Sequence, residues 1–405
     1  MKTVVVAGGG AAGMMSAIFA ARNGNRVILL EKNEKLGKKI YITGKGRCNL
    51  TNDCLPEEFL DNVVSNAKFL SGAIRAFSPQ ATQEFFEELG LKLKTERGDR
   101  VYPLSDKASD VTKYLTKELE KQGVEIALQE TVTKIDEKNA RITGVTTDKR
   151  SFDCDSVIVC TGGISYPATG STGDGYEIAR RFGHSVKELK PALVGIETKE
   201  NFAKIQGLSL KNVSLSAVFN GKTVFCETGE MLFTHFGVSG PLVLSISSLI
   251  NRYPPKEVKL LLDLKTGLTE EKLICRIERD FAAAKGKNAA NGLVQLMPSR
   301  LIRVILARAA IREDKRIADL TKAEIRRLAE TMKRYEIGVL RLRPVEEAVV
   351  TAGGVNVKEI NPKSMESKLI KGLFFAGEVL DLDAFTGGFN LQIAFTTGYI
   401  AGNNA

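Results

Sequence analysis

Histidine and long apolar runs are scarce in this chain, and each scarcity argues against one class of function. It has two histidines, His184 and His235, so the sequence predicts no multi-histidine metal site. No stretch is long and apolar enough to cross a bilayer, and we therefore expect a cytoplasmic protein without a membrane partner.

Paired cysteines and hydrolytic constellations are also missing. The six cysteines are scattered without CxxC spacing, which is typical of reduced thiols rather than of a disulfide or zinc framework. They are Cys48, Cys54, Cys154, Cys160, Cys226 and Cys275. No Ser/His/Asp or paired-carboxylate arrangement points to hydrolysis.

Positive charge, in contrast, is in excess. The 405 residues carry a formal net charge of +10 and the pI is about 9.2. This balance favours anionic ligands such as a dinucleotide and permits weak attraction to nucleic acid, although a lysine-rich solvated surface is the simpler interpretation. A chain of this length is expected to form two or three domains.

The beginning of the chain carries a complete βαβ pattern. Residues 4–7 predict a short buried strand, residues 11–22 a small-residue helix, and residues 26–30 a second, β-branched strand. The motif Gly8-x-Gly10-x-x-Gly13 joins the first strand to the helix, and Glu31 follows the second strand. This order is the dinucleotide-binding fingerprint, whereas the glycines alone would also fit a tight turn that binds nothing.

Each small residue of the fingerprint has a physical role. Gly8 allows the tight turn, Gly10 lets a pyrophosphate approach the backbone, and Gly13 lets the helix press on the sheet. Ala11 and Ala12 stand at the helix N-terminus, where free N–H groups and the positive end of the helix dipole hold phosphates. We therefore expect residues 8–13 to contact the cofactor.

Glu31 selects among the dinucleotides. Its carboxylate, at the end of the second strand, is placed to accept hydrogen bonds from a ribose diol. A 2′-phosphate would meet a like charge there, so we expect FAD or NAD rather than NADP. Lys32, the next residue, is a further candidate for contact with the cofactor.

A second glycine-rich segment spans residues 42–52. It combines two glycines, two cations and several small polar groups, so backbone N–H groups and a cation can face an anionic or electron-rich ligand. Gly44, Arg47, Cys48 and Asn49 are candidate cofactor contacts, and a basic surface loop is the alternative. Cys48 is either a redox thiol with a lowered pKa or, since no partner cysteine follows in CxxxxC spacing, a structural residue.

A third candidate contact follows the buried strand predicted over residues 156–160. The motif Thr161-Gly162-Gly163 comes at the carboxyl end of this strand, where backbone can touch a ligand. Residues 172–175, Thr-Gly-Asp-Gly, then lead into a predicted helix over residues 176–182. In the alternative interpretation this motif is a capping turn with Asp174 as the helix cap.

The middle of the chain has a different residue pattern from its beginning. Within residues 191–344, short alternating segments predict a small β unit, a barrel or sandwich, and a mostly helical basic segment follows. Residues 300–308 place arginines on one face, but little aromatic interleaving favours a solvated face over a polynucleotide-binding helix. From residue 345 the strand-and-turn pattern of the beginning of the chain returns, so we expect a discontinuous nucleotide domain of residues 1–190 and 345–405.

These motifs resemble the BaiN/YhiN-like flavoproteins, also called the aminoacetone-oxidase family, over nearly the whole chain. The resemblance rests on the segments at 8–13, 42–49, 161–163, 172–175, 233–241, 350–355, 365–368, 377–381 and 386–392. It implies an α/β fold in which a Rossmann-like domain of the glutathione-reductase type holds FAD. It also implies that the inserted β-barrel-like and helical units lie over the flavin.

The resemblance implies further FAD contacts. A strand of alternating hydrophobicity is implied to contact adenine through its backbone. Acids that follow a strand near the end of the chain are implied to lie on the ribityl or pyrophosphate side of FAD. The N-terminus of the last helix is implied to lie at the flavin pyrimidine ring. That helix end would stabilise negative charge on the ring. The residues are Val132, Gly377, Glu378, Asp381, Gly388, Asn390, Leu391 and Gln392.

With FAD expected, the sequence predicts an FAD-dependent oxidoreductase, in first place an NADH- or NADPH-dependent reductase of a small hydrophobic or unsaturated substrate. Two alternatives stay open. One is an amine oxidase that uses O2, and the other, of a different functional class, is an FAD-containing nucleic-acid-binding protein. No second complete GxGxxG unit is present, so NADH or NADPH is expected to visit the flavin transiently.

Three residues are candidates for catalysis. His235 is either an acid/base that faces the flavin or a turn or core histidine. Arg47 and Lys45 are candidates to bind an anionic substrate. We expect a small-molecule substrate and no stable nucleic-acid partner, and no oligomeric state is predicted.

Overall fold

The structure is a computed structural model that describes all of residues 1–405. Its strands are β1 (Thr3–Ala7), β2 (Arg26–Glu31), β3 (Thr51–Asn52), β4 (Leu93–Glu96), β5 (Arg100–Pro103), β6 (Glu125–Leu128), β7 (Val132–Lys138), β8 (Arg141–Thr147), β9 (Ser151–Asp153), β10 (Ser156–Val159), β11 (Val186–Ala192), β12 (Ile196–Thr198), β13 (Ser209–Phe219), β14 (Lys222–Phe233), β15 (Gly237–Ser239), β16 (Val258–Asp263), β17 (Tyr335–Leu342), β18 (Val350–Val355) and β19 (Leu373–Phe375).

The α-helices alternate with these strands. They are α1 (Ala11–Arg22), α2 (Lys38–Ile42), α3 (Pro56–Asp61), α4 (Ala67–Ala76), α5 (Pro79–Glu88), α6 (Ala108–Lys121), α7 (Asp174–Arg181), α8 (Pro241–Ile250), α9 (Glu270–Ala283), α10 (Ala289–Gly292), α11 (Ser299–Arg308), α12 (Lys322–Lys333) and α13 (Phe389–Asn404). Not one of them has both the length and the apolar character that a membrane crossing requires.

The chain separates into two compact units. The first, which we call the discontinuous unit, consists of Met1–Ala192 and Pro344–Ala405. The second, the insert unit, is Leu193–Arg343. The sequence placed the corresponding boundaries at 190/191 and 344/345.

The discontinuous unit is built on a five-stranded parallel sheet in the order β19-β10-β1-β2-β6. β1 lies at its centre, and Val4, Val5 and Val6 have no exposed surface, as expected for a strand covered on both faces. The chain leaves β1 toward β2 on one side, while β10 lies on the other. The strand order therefore reverses at the carboxyl end of β1, where open α/β sheets bind ligands.

Helices α1 and α13 of this unit approach each other at backbone distance. A Cβ added to Gly398 would lie 2.5 Å from the carbonyl oxygen of Ala12, and one added to Gly402 would lie 2.4 Å from that of Ser16. Such a close approach is possible only where one helix presents glycine. It accounts for the small residues in α1 and gives the last helix a fixed place against the first.

Three smaller sheets complete the discontinuous unit. Their strand orders are β3-β5-β4, β7-β8-β9 and β11-β18. The antiparallel pair β4 and β5 forms a hairpin with its turn at residues 97–99.

The insert unit contains a closed barrel in the order β12-β15-β14-β13-β16-β17, which confirms the barrel-like expectation, and the helices α8 to α12. Within this barrel, the alternation of apolar residues is broken between Leu210 and Val213. The structure joins Ser209–Phe219 into one strand, because a shift of register between Leu210 and Val213 absorbs the break in alternation.

The prediction of Asp174 as a helix cap is wrong. The N-cap of α7 is Gly173, with φ of 90°, and Asp174 is the first helical residue. Its carboxylate lies 2.7 Å from the Nζ of Lys32 and accepts a hydrogen bond of 2.7 Å from the Thr172 hydroxyl. A left-handed glycine thus starts the helix, and the acid pairs with Lys32, the residue after β2.

His184 lies in the core of the discontinuous unit. Its side chain is fully buried, with Nδ1 3.1 Å from Glu359 Oε2 and Nε2 2.8 Å from the hydroxyl of Ser367. Burial lowers the pKa of His184, although Glu359 acts in the opposite direction. The folded chain therefore holds this imidazole neutral at a pH where an exposed histidine takes up a proton.

We expect the free energy of unfolding to decrease as the pH is lowered from about 6.5 to about 5.5, by at most about 1 kcal/mol from this residue. The reason is that unfolded His184 binds a proton near its ordinary pKa, whereas the folded chain does not, so stability is complete only above that pKa. Urea unfolding across this pH range measures the effect.

His235, the other histidine, is exposed and supplies a matched control. A His235→Gln variant should keep the acid dependence, and His184→Gln should be less stable throughout but lose the dependence in this window. An unchanged dependence in His184→Gln would contradict the assignment.

Candidate nucleotide-binding site

The turn between β1 and α1 lies at the carboxyl edge of the parallel sheet, and its glycines meet different surroundings. A Cβ on Gly8 would lie 2.6 Å from the carbonyl oxygen of Cys160, and one on Gly13 would lie 1.8 Å from that of Gly8. A Cβ on Gly10 would meet no atom within 4 Å. The protein's own packing requires Gly8 and Gly13, whereas the space beside Gly10 is open.

The first turn of α1 faces no capping group. Gly10 is the N-cap, no side chain caps the helix, and its first turn carries no acidic residue. The amides of Ala11 and Ala12 have no acceptor within the helix, because first-turn amides lack one. Together with the positive end of the helix dipole, these amides form an anion-binding cradle beside Gly10.

Glu31 closes one side of this cradle. It is 8% exposed, and its Oε2 accepts a 2.8 Å hydrogen bond from the amide of Gly9. Its Oε1 accepts from the amide and the side chain of Asn33, at 2.8 and 2.7 Å. Three protein donors thus hold the carboxylate, and Oε2, which accepts one of these bonds, keeps capacity for a further donor such as a ribose hydroxyl. Lys32, in contrast, is paired with Asp174.

The loop after α2 bends through left-handed residues. Gly44 and Lys45 have φ of 55° and 57°, and Lys45 is exposed. Cys48, with φ of 60°, is completely buried, and burial raises the pKa of its thiol to about 12. The alternative of a redox thiol with a lowered pKa is therefore wrong, because no cation reaches the sulfur and apolar surroundings disfavour the thiolate.

Arg47 is occupied by carboxylates of the chain itself. Its guanidinium pairs with Glu96 and lies 2.6 Å from Oδ1 of Asp106, and it stacks 4.2 Å from the centre of the Tyr102 ring. These contacts raise the pKa of Arg47 and lower that of Glu96. Arg47 can bind a substrate anion only if these pairs open, so this role stays a prediction.

Two buried polar atoms in the predicted contact segments have no hydrogen-bond partner in the chain. They are Oδ1 of Asn49 and Oγ1 of Thr161. Buried polar atoms are normally paired, and a missing partner calls for a water or a ligand. Both residues belong to motifs that the sequence singled out for cofactor contact.

Glu378 joins the segments that follow β10 and β19. Its carboxylate lies 2.7 Å from the Nζ of Lys39 and accepts hydrogen bonds from the Ser165 hydroxyl at 3.1 Å and the Thr351 amide at 2.9 Å. A Cβ on Gly163 would lie 3.1 Å from this carboxylate and 2.3 Å from the Thr351 hydroxyl. The Gly-Gly segment of residues 162–163 therefore packs against the cluster that Glu378 forms with Lys39, Ser165 and Thr351.

The sequence reasoning missed three members of that cluster, Lys39, Ser165 and Thr351. The signal for Thr351 was its place in the segment 350–355 that carries the family resemblance. Lys39 stands in a lysine-rich segment and Ser165 in a glycine-rich loop, so the local sequence does not distinguish either from a surface residue.

The N-terminus of α13 is shaped by Gly388. A Cβ on this residue, which has φ of 99°, would lie 2.3 Å from the carbonyl oxygen of Thr51. Asn390 binds the backbone of Ala384, and the fully buried Gln392 binds Thr51, so both amides serve the fold. No side chain caps α13, and its positive dipole end remains available to an anionic group.

The remaining predicted contacts lie in four places. Gly377 meets the first turn of α1, since its Cβ would lie 2.7 Å from that of Ala12. Asp381 accepts a 2.9 Å hydrogen bond from Asn66, and burial raises its pKa. Val132 begins β7 in a separate sheet, where it pairs with Thr147. Leu391 is half-buried in the first turn of α13.

His235 belongs to the insert unit. It is exposed in the turn between β14 and β15, and its ring centre lies 5.1 Å from that of Phe236. The other predicted site residues all belong to the discontinuous unit.

The open space beside Gly10, the uncapped α1 and the fixed carboxylate of Glu31 fit the pyrophosphate and ribose of FAD. A family model described as the HI0933-like protein Rossmann domain matches residues 2–404. The chain belongs to this family. With the cradle just described, this HI0933-like protein is an FAD-dependent oxidoreductase.

Known relatives match this HI0933-like protein over its whole length. It is 33% identical to the 3-dehydro-bile acid delta(4,6)-reductase of Clostridium scindens, over 100% of this chain and 99% of that protein. It is 30% identical to the ribosomal RNA dihydrouridine synthases of Haemophilus influenzae and Escherichia coli, over 98% of this chain and 96% of each.

Solved structures show the same fold. The 3-ketosteroid-Δ4-(5α)-dehydrogenase of Rhodococcus jostii RHA1 matches with a TM-score of 0.55 and 16% identity, over 99% of this chain and 96% of that chain. The flavocytochrome c3 fumarate reductase matches with a TM-score of 0.51 and 17% identity, over 100% of this chain and 78% of that chain. At these identities the likeness concerns the fold alone.

Proposed function

We propose that the enzyme reduces a carbon–carbon double bond conjugated to a carbonyl group, and that its substrate is a uridine base in RNA. The support for the reaction is that relatives with different substrates share it. Dihydrouridine is uridine with two hydrogens added across the double bond next to a ring carbonyl. A Δ4,6 double-bond system beside a 3-oxo group is the same chemical unit in a steroid.

FAD, when bound, would supply the hydride that such a reduction requires. The chain contributes position and charge. The amides of Ala11 and Ala12 and the carboxylate of Glu31 would hold the nucleotide half, and the uncapped N-terminus of α13 offers a positive dipole end to a group that gains negative charge.

The reaction also needs a proton for the second carbon of the double bond and a source of electrons. We propose NADH or NADPH as the transient electron donor, and the acid/base role of His235 stays a prediction. Lys45 is exposed and takes part in no ion pair, which supports it over Arg47 as a contact for an anionic substrate.

The observation that favours RNA is the net charge of +10, since a polyanion is the ligand that such an excess attracts. This proposal reverses the expectation of a small-molecule substrate without a nucleic-acid partner. A steroid with a conjugated ketone is the second candidate, and the 33% identity to the bile acid reductase over the full chain supports it.

Anaerobic incubation of the FAD-loaded enzyme tests the proposal. The substrates are unmodified ribosomal RNA transcribed in vitro and, in parallel, 4-androstene-3,17-dione, each with NADH or NADPH. We expect dihydrouridine in the digested RNA by mass spectrometry, with one of the two donors, and no loss of the steroid double bond. Reduction of the steroid alone would move the assignment to the second candidate.

Two further results would contradict the reductase. One is a flavin that neither donor bleaches, and the other is O2 consumption with an amine as the only reductant. Either would support the oxidase alternative that the sequence left open.

A further inference from the structure

The excess of positive charge is not spread over the chain. The insert unit, residues 193–343, carries 26 lysines and arginines against 16 aspartates and glutamates. The discontinuous unit carries 32 of each. The whole net charge of +10 therefore belongs to the insert unit, and the unit that holds the nucleotide cradle is neutral.

Within the insert unit the excess is densest over residues 299–334. This segment has 11 lysines and arginines and 5 acids. Four of the cations are paired, as Arg303 with Glu313, Arg312 with Asp314, Lys315 with Glu324 and Lys333 with Asp263. The other seven have no carboxylate within 4.0 Å, and they are Arg300, Arg308, Arg316, Lys322, Arg326, Arg327 and Arg334.

Two of these cations lie at the end of α11, and a third, Arg334, is the chain neighbour of a ring that one of them faces. Arg327 on α12 donates from Nε to the carbonyl oxygen of Ala309, the residue after Arg308, at 2.5 Å. The guanidinium of Arg308 lies 5.9 Å from the ring centre of Tyr335, the residue after Arg334. We call Arg308, Arg327 and Arg334 the arginine cluster. All three are exposed.

Positive side chains that lie near one another with no carboxylate within 4.0 Å repel, so an anionic partner gains free energy at this place. The guanidinium fork suits phosphate oxygens, and the contact of Arg327 to Ala309 uses one of its five N–H donors. The exposed large apolar residues of the insert unit are Val294 and Leu340, and neither lies on α11 or α12. The face thus lacks the apolar side chains that an anionic membrane surface would require.

We propose that the face formed by α11 and α12 binds the phosphate backbone of RNA, with the arginine cluster as its centre. This inference rests on the proposed function, since it assigns the binding of a uridine-containing RNA to the insert unit. The double variant Arg308→Gln/Arg334→Gln tests it. Arg327 is left in place because its contact with Ala309 supports the end of α11.

Binding is measured on the FAD-loaded enzyme with a labelled uridine-only RNA of about 20 nucleotides, across a range of salt concentrations. We expect the double variant to bind about tenfold more weakly at low salt. The slope of log affinity against log salt should fall by about 1 to 2, since each lost phosphate contact removes about 0.7 on a single strand. Arg308→Lys/Arg334→Lys should keep most of the slope, because charge is retained.

The matched control removes the same charge from the other unit. Lys92 and Lys113 are exposed and unpaired, so Lys92→Gln/Lys113→Gln should bind RNA like the parent protein. Equal weakening by both double variants would overturn the proposal in favour of diffuse attraction. Binding to phosphatidylserine vesicles that depends on the cluster, without RNA binding, would overturn it in favour of a membrane surface.

The dihydrouridine assay separates this inference from the proposed function. If Arg308→Gln/Arg334→Gln modifies ribosomal RNA with unchanged KM, the enzyme acts on RNA but the arginine cluster does not bind it. If RNA binding depends on the cluster and no dihydrouridine forms, the surface is supported and the proposed reaction fails.

Discussion

A Gly10→Glu variant is expected to purify folded but colourless, with FAD affinity reduced at least about 100-fold. The space beside Gly10 is open in the chain, so the new side chain displaces no protein atom. It would instead fill the place where the pyrophosphate approaches the backbone and would add a like charge. The cost in stability should stay near 1 kcal/mol, because a helix N-cap prefers glycine to most longer residues.

The measurement is flavin absorbance at saturating FAD together with thermal unfolding of the apoprotein. Gly72→Glu is the matched control, since Gly72 lies in α4 and its Cβ would also meet nothing within 4 Å. That variant should retain full flavin. A Gly10→Glu protein with full flavin content would show that the cofactor does not bind over this turn.

A Gly13→Ala variant is expected to lose roughly 3 kcal/mol of stability, and FAD with it. The added methyl would lie 1.8 Å from the carbonyl oxygen of Gly8, which belongs to the backbone of the turn and cannot rotate away. Either α1 moves away from the strand edge or the turn deforms. Both changes would destroy the arrangement that exposes the amides of Ala11 and Ala12.

Urea unfolding of the apoprotein measures this effect without the cofactor. Gly72→Ala serves as the control, because it makes the same substitution inside a helix with open space around it. Helix propensity alone predicts that both variants gain up to about 1 kcal/mol. The two should therefore change stability in opposite directions, and a Gly13→Ala variant as stable as the parent would refute the packing of α1 on the turn.

The sequence by itself determined the cradle, because every part of it is local. Strand, turn, helix and the acid at the end of β2 lie within residues 3–31, and their roles depend on backbone conformation and on the absence of Cβ atoms. Hydrophobic alternation likewise sufficed for the barrel-like character of the insert. Such patterns need no knowledge of distant residues.

The tertiary structure alone decided which polar side chains meet. Lys39 and Glu378 are 339 residues apart in the chain, and Ser165 and Glu378 are 213 apart. The pairing of Arg47 with Glu96 and Asp106 and the burial of Cys48 follow from the packing of the loop on β4 and β5 rather than from its basic composition. The free energy of such contacts depends on distance and burial, and neither quantity follows from the spacing of residues along a chain.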